Sequence, residues 1–266
     1  MNTRLIKRAL SGLALVAGLA IVTQSQAEVT VNDIVTRGTL KVGMLVDLPP
    51  FGVTTAAGKP DGLDADVARL MAKYLGVKLE IVPVTGPNRI PYLLTHKVDV
   101  LTATFGINPE RAKQVAFSIP YSELEMVVMG PKSLKMSSYA ETAGHTIAVP
   151  RASTSDIPLT KYAPKTAHIL RFDDDASSAQ ALLSGQAEAL GTNQLILQQL
   201  AKKHPKMELE KKFTLARQFQ GVTLRRDDPQ LLQWTNTFIY YIKNDGELDT
   251  ITRKWLGVPM PDLPTF

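Results

Sequence analysis

The spacing of apolar positions changes several times along the chain, and each change marks a boundary between strand and helix. Residues 40–46 alternate and carry the branched side chains of a strand. Val67, Leu70, Met71, Tyr74 and Leu75 then share one helical face, with Asp64 placed to cap the helix and Gly76 to end it. Residues 78–84 read as a strand, 90–96 as a short helix and 98–104 as a buried strand. Residues 125–129 are extended, and a second series follows: strand 145–149, a helix from Ser153, strand 168–172, helix 176–184, strand 187–190 and a helix from Asn193. Residues 221–225 return to strand pattern. Two helices close the chain, one through Trp234, Ile239 and Tyr240, the other through Leu248, Ile251 and Trp255.

Alternating strands and helices predict an α/β architecture. Each of the two series is long enough for a lobe with a central sheet flanked by helices. The expected division is residues 28–122 with 219–266 as one lobe, and 123–218 as a lobe inserted into it. Two extended crossings, near 121–128 and 219–224, would join them as a two-strand hinge.

Composition alters this picture mainly at the N-terminus. The chain has 266 residues and a formal net charge of +5. Arg4, Lys7 and Arg8 precede an apolar stretch to Val22, and Ser25-Gln26-Ala27 supplies the small residues of a cleavage site. This is the plan of a secretory signal, with an apolar core short of the roughly 20 residues of a membrane span. Cleavage after Ala27 removes three cations and no acid, lowering +5 to +2. The basic excess is then mostly a targeting device, and the periplasm is the expected location.

The chain has no cysteine, which excludes a disulfide framework and thiolate metal sites. His96, His145, His168 and His204 are scattered without metal-ligand spacing, so no metal or cofactor is expected. Asp173, Asp174 and Asp175 lack calcium-loop spacing and suit a helix start. Lys202, Lys203, Lys211 and Lys212 are interrupted by acids and lack interleaved aromatics, so nucleic acid is not an expected partner.

The segment DVLTATFGINPERAKQVAFS (99–118) carries the clearest chemistry. Asn108 suits an N-cap, Pro109 the first helical position and Glu110 the positive end of the helix dipole. Arg111 is electrostatically misplaced there. A guanidinium fork beside the free N–H groups after Gly106 suits a carboxylate. A surface arginine, or a structural ion pair with Glu110 or a neighbour, is the alternative.

The run TFGINPERAKQVAFSIPY resembles the signature of the polar-amino-acid solute-binding proteins of ABC importers. LPPF (48–51), GLDADVARLMAKYLG (62–76), IPYLLTHKVDV (90–100), IAVPRAST (147–154), LLSGQAEAL (182–190) and GELDTITRKWLG (246–257) stand in the family's order. The resemblance implies two lobes closing on a small molecule, with Arg111 holding its carboxylate. It also implies that Thr104 helps bind an amino group and that Thr154, with Ser153, contacts the carboxylate. Gly106 stands where a serine or threonine is usual, and Asn193 where an aspartate usually faces the ligand's ammonium. Leu48 replaces an aromatic wall, Gly86-Pro87 fills the segment of the opposite wall, and Leu45 takes a position often held by aspartate.

Three further charges fall near the same mouth. Arg89 and Arg151 would recognise a second acidic group if they face the cleft, and Asp47 would replace the missing ammonium partner. The alternative for each is a solvated loop charge. Asn88 is a similar candidate, with an N-cap role as its alternative, and Asp64 and Asp66 are expected to serve the helix start rather than acid/base chemistry.

The expectation is therefore a monomeric periplasmic binder of an amino acid or related small carboxylate, delivering it to a membrane permease. A dehydratase on the same scaffold, with Asp47 or Glu123 as its acid or base, is one alternative. A sensory ligand-binding module is another.

Overall fold

A computed structural model describes residues 31–265, so the expected signal segment lies outside the described residues. Helix α1 (Val31–Arg37), which the apolar pattern did not single out, precedes β1 (Thr39–Met44). A small hairpin, β2 (Val53–Thr54) and β3 (Pro60–Asp61), leads into α2 (Leu63–Leu75) and β4 (Lys78–Pro83). There follow α3 (Arg89–Leu94), the short β5 (Val100–Leu101), the single turn α4 (Pro109–Ala112) and the long β6 (Ala116–Pro131). The second half comprises β7 (Thr146–Pro150), α5 (Asp156–Tyr162), β8 (His168–Phe172), α6 (Asp175–Leu183), β9 (Ala189–Asn193) and α7 (Gln194–Lys203). The long β10 (Leu209–Leu224) returns the chain to α8 (Pro229–Asn244) and α9 (Glu247–Leu256).

All strands except the hairpin belong to one eight-stranded sheet, in the order β4-β1-β5-β10-β6-β9-β7-β8. β1, β4 and β5 are mutually parallel at one flank, and β7, β8 and β9 at the other. Between them β6 and β10 run antiparallel along nearly their whole lengths. Each has 16 residues, roughly 50 Å of strand. Strands of that reach pass through both flanks, so two lobes share one backbone ribbon. Apolar alternation revealed only residues 221–225 of β10. Its N-terminal half carries Glu210, Lys211 and Lys212 between Leu209 and Phe213, which interrupts the apolar alternation.

The site-bearing elements follow from local rules. Val67, Ala68, Met71, Ala72 and Leu75 bury one face of α2, and Gly76 stops it at φ 70°, where a residue without Cβ is strain-free. Asn108 caps α4 by accepting the Arg111 N–H at 2.9 Å, and Pro109 occupies the first helical position. This pins Arg111 in the turn between β5 and β6 of lobe 1. Asn193 caps α7 in the same manner in lobe 2.

Candidate functional site

Arg111 lies between the lobes, 5% exposed. Its Nη1 donates to the Gly106 carbonyl at 2.8 Å in its own lobe and to Thr154 Oγ1 at 3.3 Å in the other. Its Nη2 donates to the Ala152 carbonyl at 2.8 Å. The guanidinium carbon sits 4.1 Å from the centre of the Phe105 ring, an attractive position for a cation. Burial and the nearby Arg89 cation hold its pKa well below the usual arginine value. A buried guanidinium whose acceptors are neutral retains unmet electrostatic demand. A carboxylate is the group that meets it, through two parallel N–H···O bonds.

Thr154 lines a narrow cavity of about 30 Å³ between the lobes, a space for about two waters. Lobe 1 contributes Leu45, Leu48, Gly86, Arg89 and Thr104, and lobe 2 contributes Pro150, Ser153, Asp175 and Asn193. Leu124 and Met126 from β6, with Gln218 and Gln220 from β10, form the wall at the hinge. The leucines at 45 and 48 make an apolar wall rather than an aromatic or charged one. Admission of a solute requires the lobes to part, because the cavity as it stands is smaller than an amino acid.

The sequence-derived candidates divide by this geometry. Arg89 reaches the cavity; it is 4% exposed, donates to the Ala103 carbonyl at 3.0 Å and lies 4.3 Å from the Phe105 ring centre. Burial pulls its pKa down to about 10, opposed by Asp175, Asp64 and Asp47. Arg151 does not reach it: its exposed side chain pairs with Asp173 at 3.5 Å. Its carbonyl, not its guanidinium, faces lobe 1. Asp47 spans the cleft but addresses backbone, its Oδ2 accepting the N–H groups of Asp175 at 2.9 Å and Ala176 at 3.2 Å. It thereby caps α6 of the opposite lobe, outside the cavity lining. Asn88 accepts the Thr85 N–H at 2.9 Å and makes no capping bond to α3. Ser153 Oγ accepts the Asp156 N–H at 3.1 Å at the entrance to α5, which begins three residues later than expected.

Asp64 is not a cap, in contrast to the sequence expectation. Gly62 occupies the N-cap position of α2, and Asp64 turns inward to full burial. It accepts the Thr104 and Tyr121 hydroxyls, each at 2.7 Å. Desolvation raises its pKa to about 6 despite those bonds. Thr104 is held at φ 48°, uncommon for a branched residue, with its hydroxyl proton directed away from the cavity toward Asp64. Its oxygen lone pairs remain for a ligand donor. Asp66 fulfils a surface role, bound to Arg69, Lys254 and Trp255.

Asp175 and the two glutamines were not anticipated. Asp174 supplies the cap of α6 through the Ser177 N–H, which leaves Asp175 to face the cavity. Desolvation and the neighbouring Asp47 raise its pKa to about 7. Gln218 lies over Gly106, its carboxamide filling the space a side chain at 106 would need: a Cβ there would meet it at 1.5 Å. The absent hydroxyl at 106 is thus replaced by an amide from the hinge strand. The available signal was the i, i+2 spacing of Gln218 and Gln220, which places both on one face of a strand.

Two lobes on a shared pair of strands, meeting over a buried guanidinium, define a protein that encloses a small solute. The chain belongs to the bacterial extracellular solute-binding proteins, family 3, whose model matches residues 40–258. It is 28% identical over 256 residues to the L-cystine-binding protein TcyJ of Escherichia coli strain K12, covering 94% of this chain and 96% of that one. It is 25% identical over 265 residues to the cyclohexadienyl dehydratase of Pseudomonas aeruginosa, covering 97% and 96%. An ancestral arginine-binding protein solved with arginine superposes with a TM-score of 0.79 at 33% identity, covering 83% of this chain and 99% of that one.

Proposed function

We propose that this chain is the periplasmic substrate-binding component of an ABC importer, capturing an amino acid or related small carboxylate by lobe closure. In this reading the leader is removed after Ala27, and the mature monomer presents its closed form to a membrane permease. The observation that carries the reading is the Arg111 guanidinium, anchored in lobe 1 by Gly106 and bonded across the cleft to Ala152 and Thr154. An incoming carboxylate takes over the lobe 2 contacts and joins the two halves through itself. The relatives named for binding cystine and arginine support the class of solute without fixing the solute.

The test uses protein exported with its own leader, recovered from the periplasm and stripped of ligand by unfolding and refolding. Amino acids, dicarboxylates and keto acids are titrated calorimetrically. One solute should bind saturably at one per chain and be recovered unchanged. Failure of every carboxylate in the panel rejects the proposal.

An enzymatic reading has one favourable observation, the Asp175 carboxyl with a pKa near 7 beside the cavity, and one favourable relative, the dehydratase. Against it, Glu123 is bound to Arg217 at 2.7 Å away from the cavity lining, and Asp47 is committed to α6. Incubation with a cyclohexadienyl carboxylate, followed by ring absorbance, should show no turnover.

A further inference from the structure

Position 193 offers a ligand a donor where an aspartate would offer an acceptor. Asn193 is 1% exposed, and its Oδ1 accepts the N–H groups of Leu195 and Ile196, each at 3.0 Å. Those two bonds settle which end of the carboxamide is oxygen. The Nδ2 amino group is the end left for the cavity that Asn193 lines.

Gln220 repeats the arrangement from the hinge. It is fully buried, its Oε1 accepts the Ser122 hydroxyl at 2.6 Å, and its Nε2 has no hydrogen-bond partner among the described residues. Gln220 lines the same cavity. A buried donor without an acceptor is a cost that the fold does not recover internally, and an acceptor arriving with a ligand recovers it. The Arg89 guanidinium adds a fixed positive charge to the same lining.

We propose that the ligand carries a second carboxylate, read by Gln220 Nε2, Asn193 Nδ2 and the Arg89 guanidinium. The site then prefers a short dicarboxylate skeleton to a monocarboxylate of the same length. This rests on Arg111 holding the first carboxylate, as proposed above. An α-ammonium is compatible with the pocket, because the Thr104 hydroxyl donates its hydrogen bond to Asp64 and its oxygen can accept. A ligand with a cationic side chain meets the Arg89 charge and two amide donors, with Asp175, already opposing Arg89, as the one acidic side chain among the described residues of the lining.

The deciding comparison is between solutes that differ by one group: L-glutamate against L-glutamine, L-aspartate against L-asparagine, and 2-oxoglutarate against 2-oxobutyrate. L-Arginine and L-cystine complete the set, and each is titrated calorimetrically into the whole ligand-stripped protein. At least one acidic member should bind ten times or more tighter than its matched partner. The near-isosteric variants Asn193→Asp and Gln220→Glu each exchange a donor for a carboxylate oxygen. Each should weaken that acidic member at least tenfold and bring its matched partner level or ahead, with ligand-free melting curves confirming the fold. Preference of the wild-type protein for an amide or for arginine overturns the second-carboxylate assignment while leaving the solute-binding reading in place, and preference for cystine, whose two carboxylates stand on a long skeleton, overturns the short skeleton. Acidic binding unaffected by both variants overturns the assignment to Asn193 and Gln220. Binding of none of these probes, nor of any other carboxylate, overturns both readings.

Discussion

Replacing Arg111 by methionine separates the ligand-binding and structural roles of the residue. The guanidinium donates three bonds to neutral acceptors, at 2.8, 3.3 and 2.8 Å. Bonds from a charged donor contribute about 1.5–3 kcal/mol each. Against them stand the desolvation of a buried cation, several kcal/mol, and the like charge of Arg89. These terms nearly cancel, and methionine retains most of the stem's packing on Phe105. The ligand-free protein should therefore change in stability by less than about 2 kcal/mol.

Binding should respond quite differently. Removing one partner of a buried charge pair costs about 2–5 kcal/mol, which is roughly thirtyfold to several-thousandfold in affinity. Scanning calorimetry reads both quantities from one sample. With the tightest carboxylate at 100 times the wild-type dissociation constant, the wild-type protein gains about 2.7 kcal/mol. A variant weakened a hundredfold gains only about 0.4 kcal/mol at that concentration. Arg111→Lys should fall between the two, since it keeps the charge and loses the fork. An undiminished ligand shift in Arg111→Met refutes the anchor. A loss of more than about 4 kcal/mol without ligand would make Arg111 chiefly a structural pin.

Two further outcomes follow from the same geometry. Asp64 and Asp175 have pKa values raised to about 6 and about 7, so the folded state holds protons that the unfolded chain releases near pH 4. Their contribution is complete below about pH 4 and is lost as pH rises to about 7, with a slope of up to about 1.4 kcal/mol per unit for each group. Ligand-free melting temperature should fall across that window, and Asp64→Asn should flatten its lower part; a steady rise from pH 5 to 8 contradicts the assignment. Gly86→Ala addresses closure. A Cβ at Gly86 would stand 2.5 Å from the Arg151 carbonyl of the opposite lobe, a backbone atom that cannot swing aside. The variant should bind at least tenfold more weakly with unchanged ligand-free stability, and equal affinity would show that closure does not bring these segments together.

The parts of the site legible in sequence were those fixed within a few residues. Asn108, Pro109 and Arg111 form one capped turn, and an arginine at the wrong end of a helix dipole is visible without coordinates. Asn193 was placed at a helix start for the same local reason, although its bonds show that the oxygen is spent on the cap. Asp64 was misjudged because its partners, Thr104 and Tyr121, lie 40 and 57 residues away, and nothing adjacent to it distinguishes a cap from an inward carboxylate. Asp47 addresses a helix 128 residues distant, a partner that its own neighbours in the chain do not reveal. The hinge glutamines were hidden because they are polar residues at buried positions of β10, so a pattern of apolar residues passes over them.

Closure in this molecule is a difference between bonds gained and bonds surrendered. Arg111 bridges the lobes through carbonyl and hydroxyl oxygens, and a carboxylate in their place adds a counter-charge and the parallel two-bond geometry. The Asp47 cap on α6 lies outside the cavity lining, so a solute in the cavity leaves it intact and it favours the closed form whatever is bound. Selectivity must therefore arise from the groups that only a ligand can satisfy, the Gln220 amide above all. A solute that engages Arg111 but leaves that donor unanswered gains the bridge and forfeits part of the closure energy. It should bind measurably yet shift the lobes less, because a ligand moves an equilibrium only by its differential affinity for the two forms.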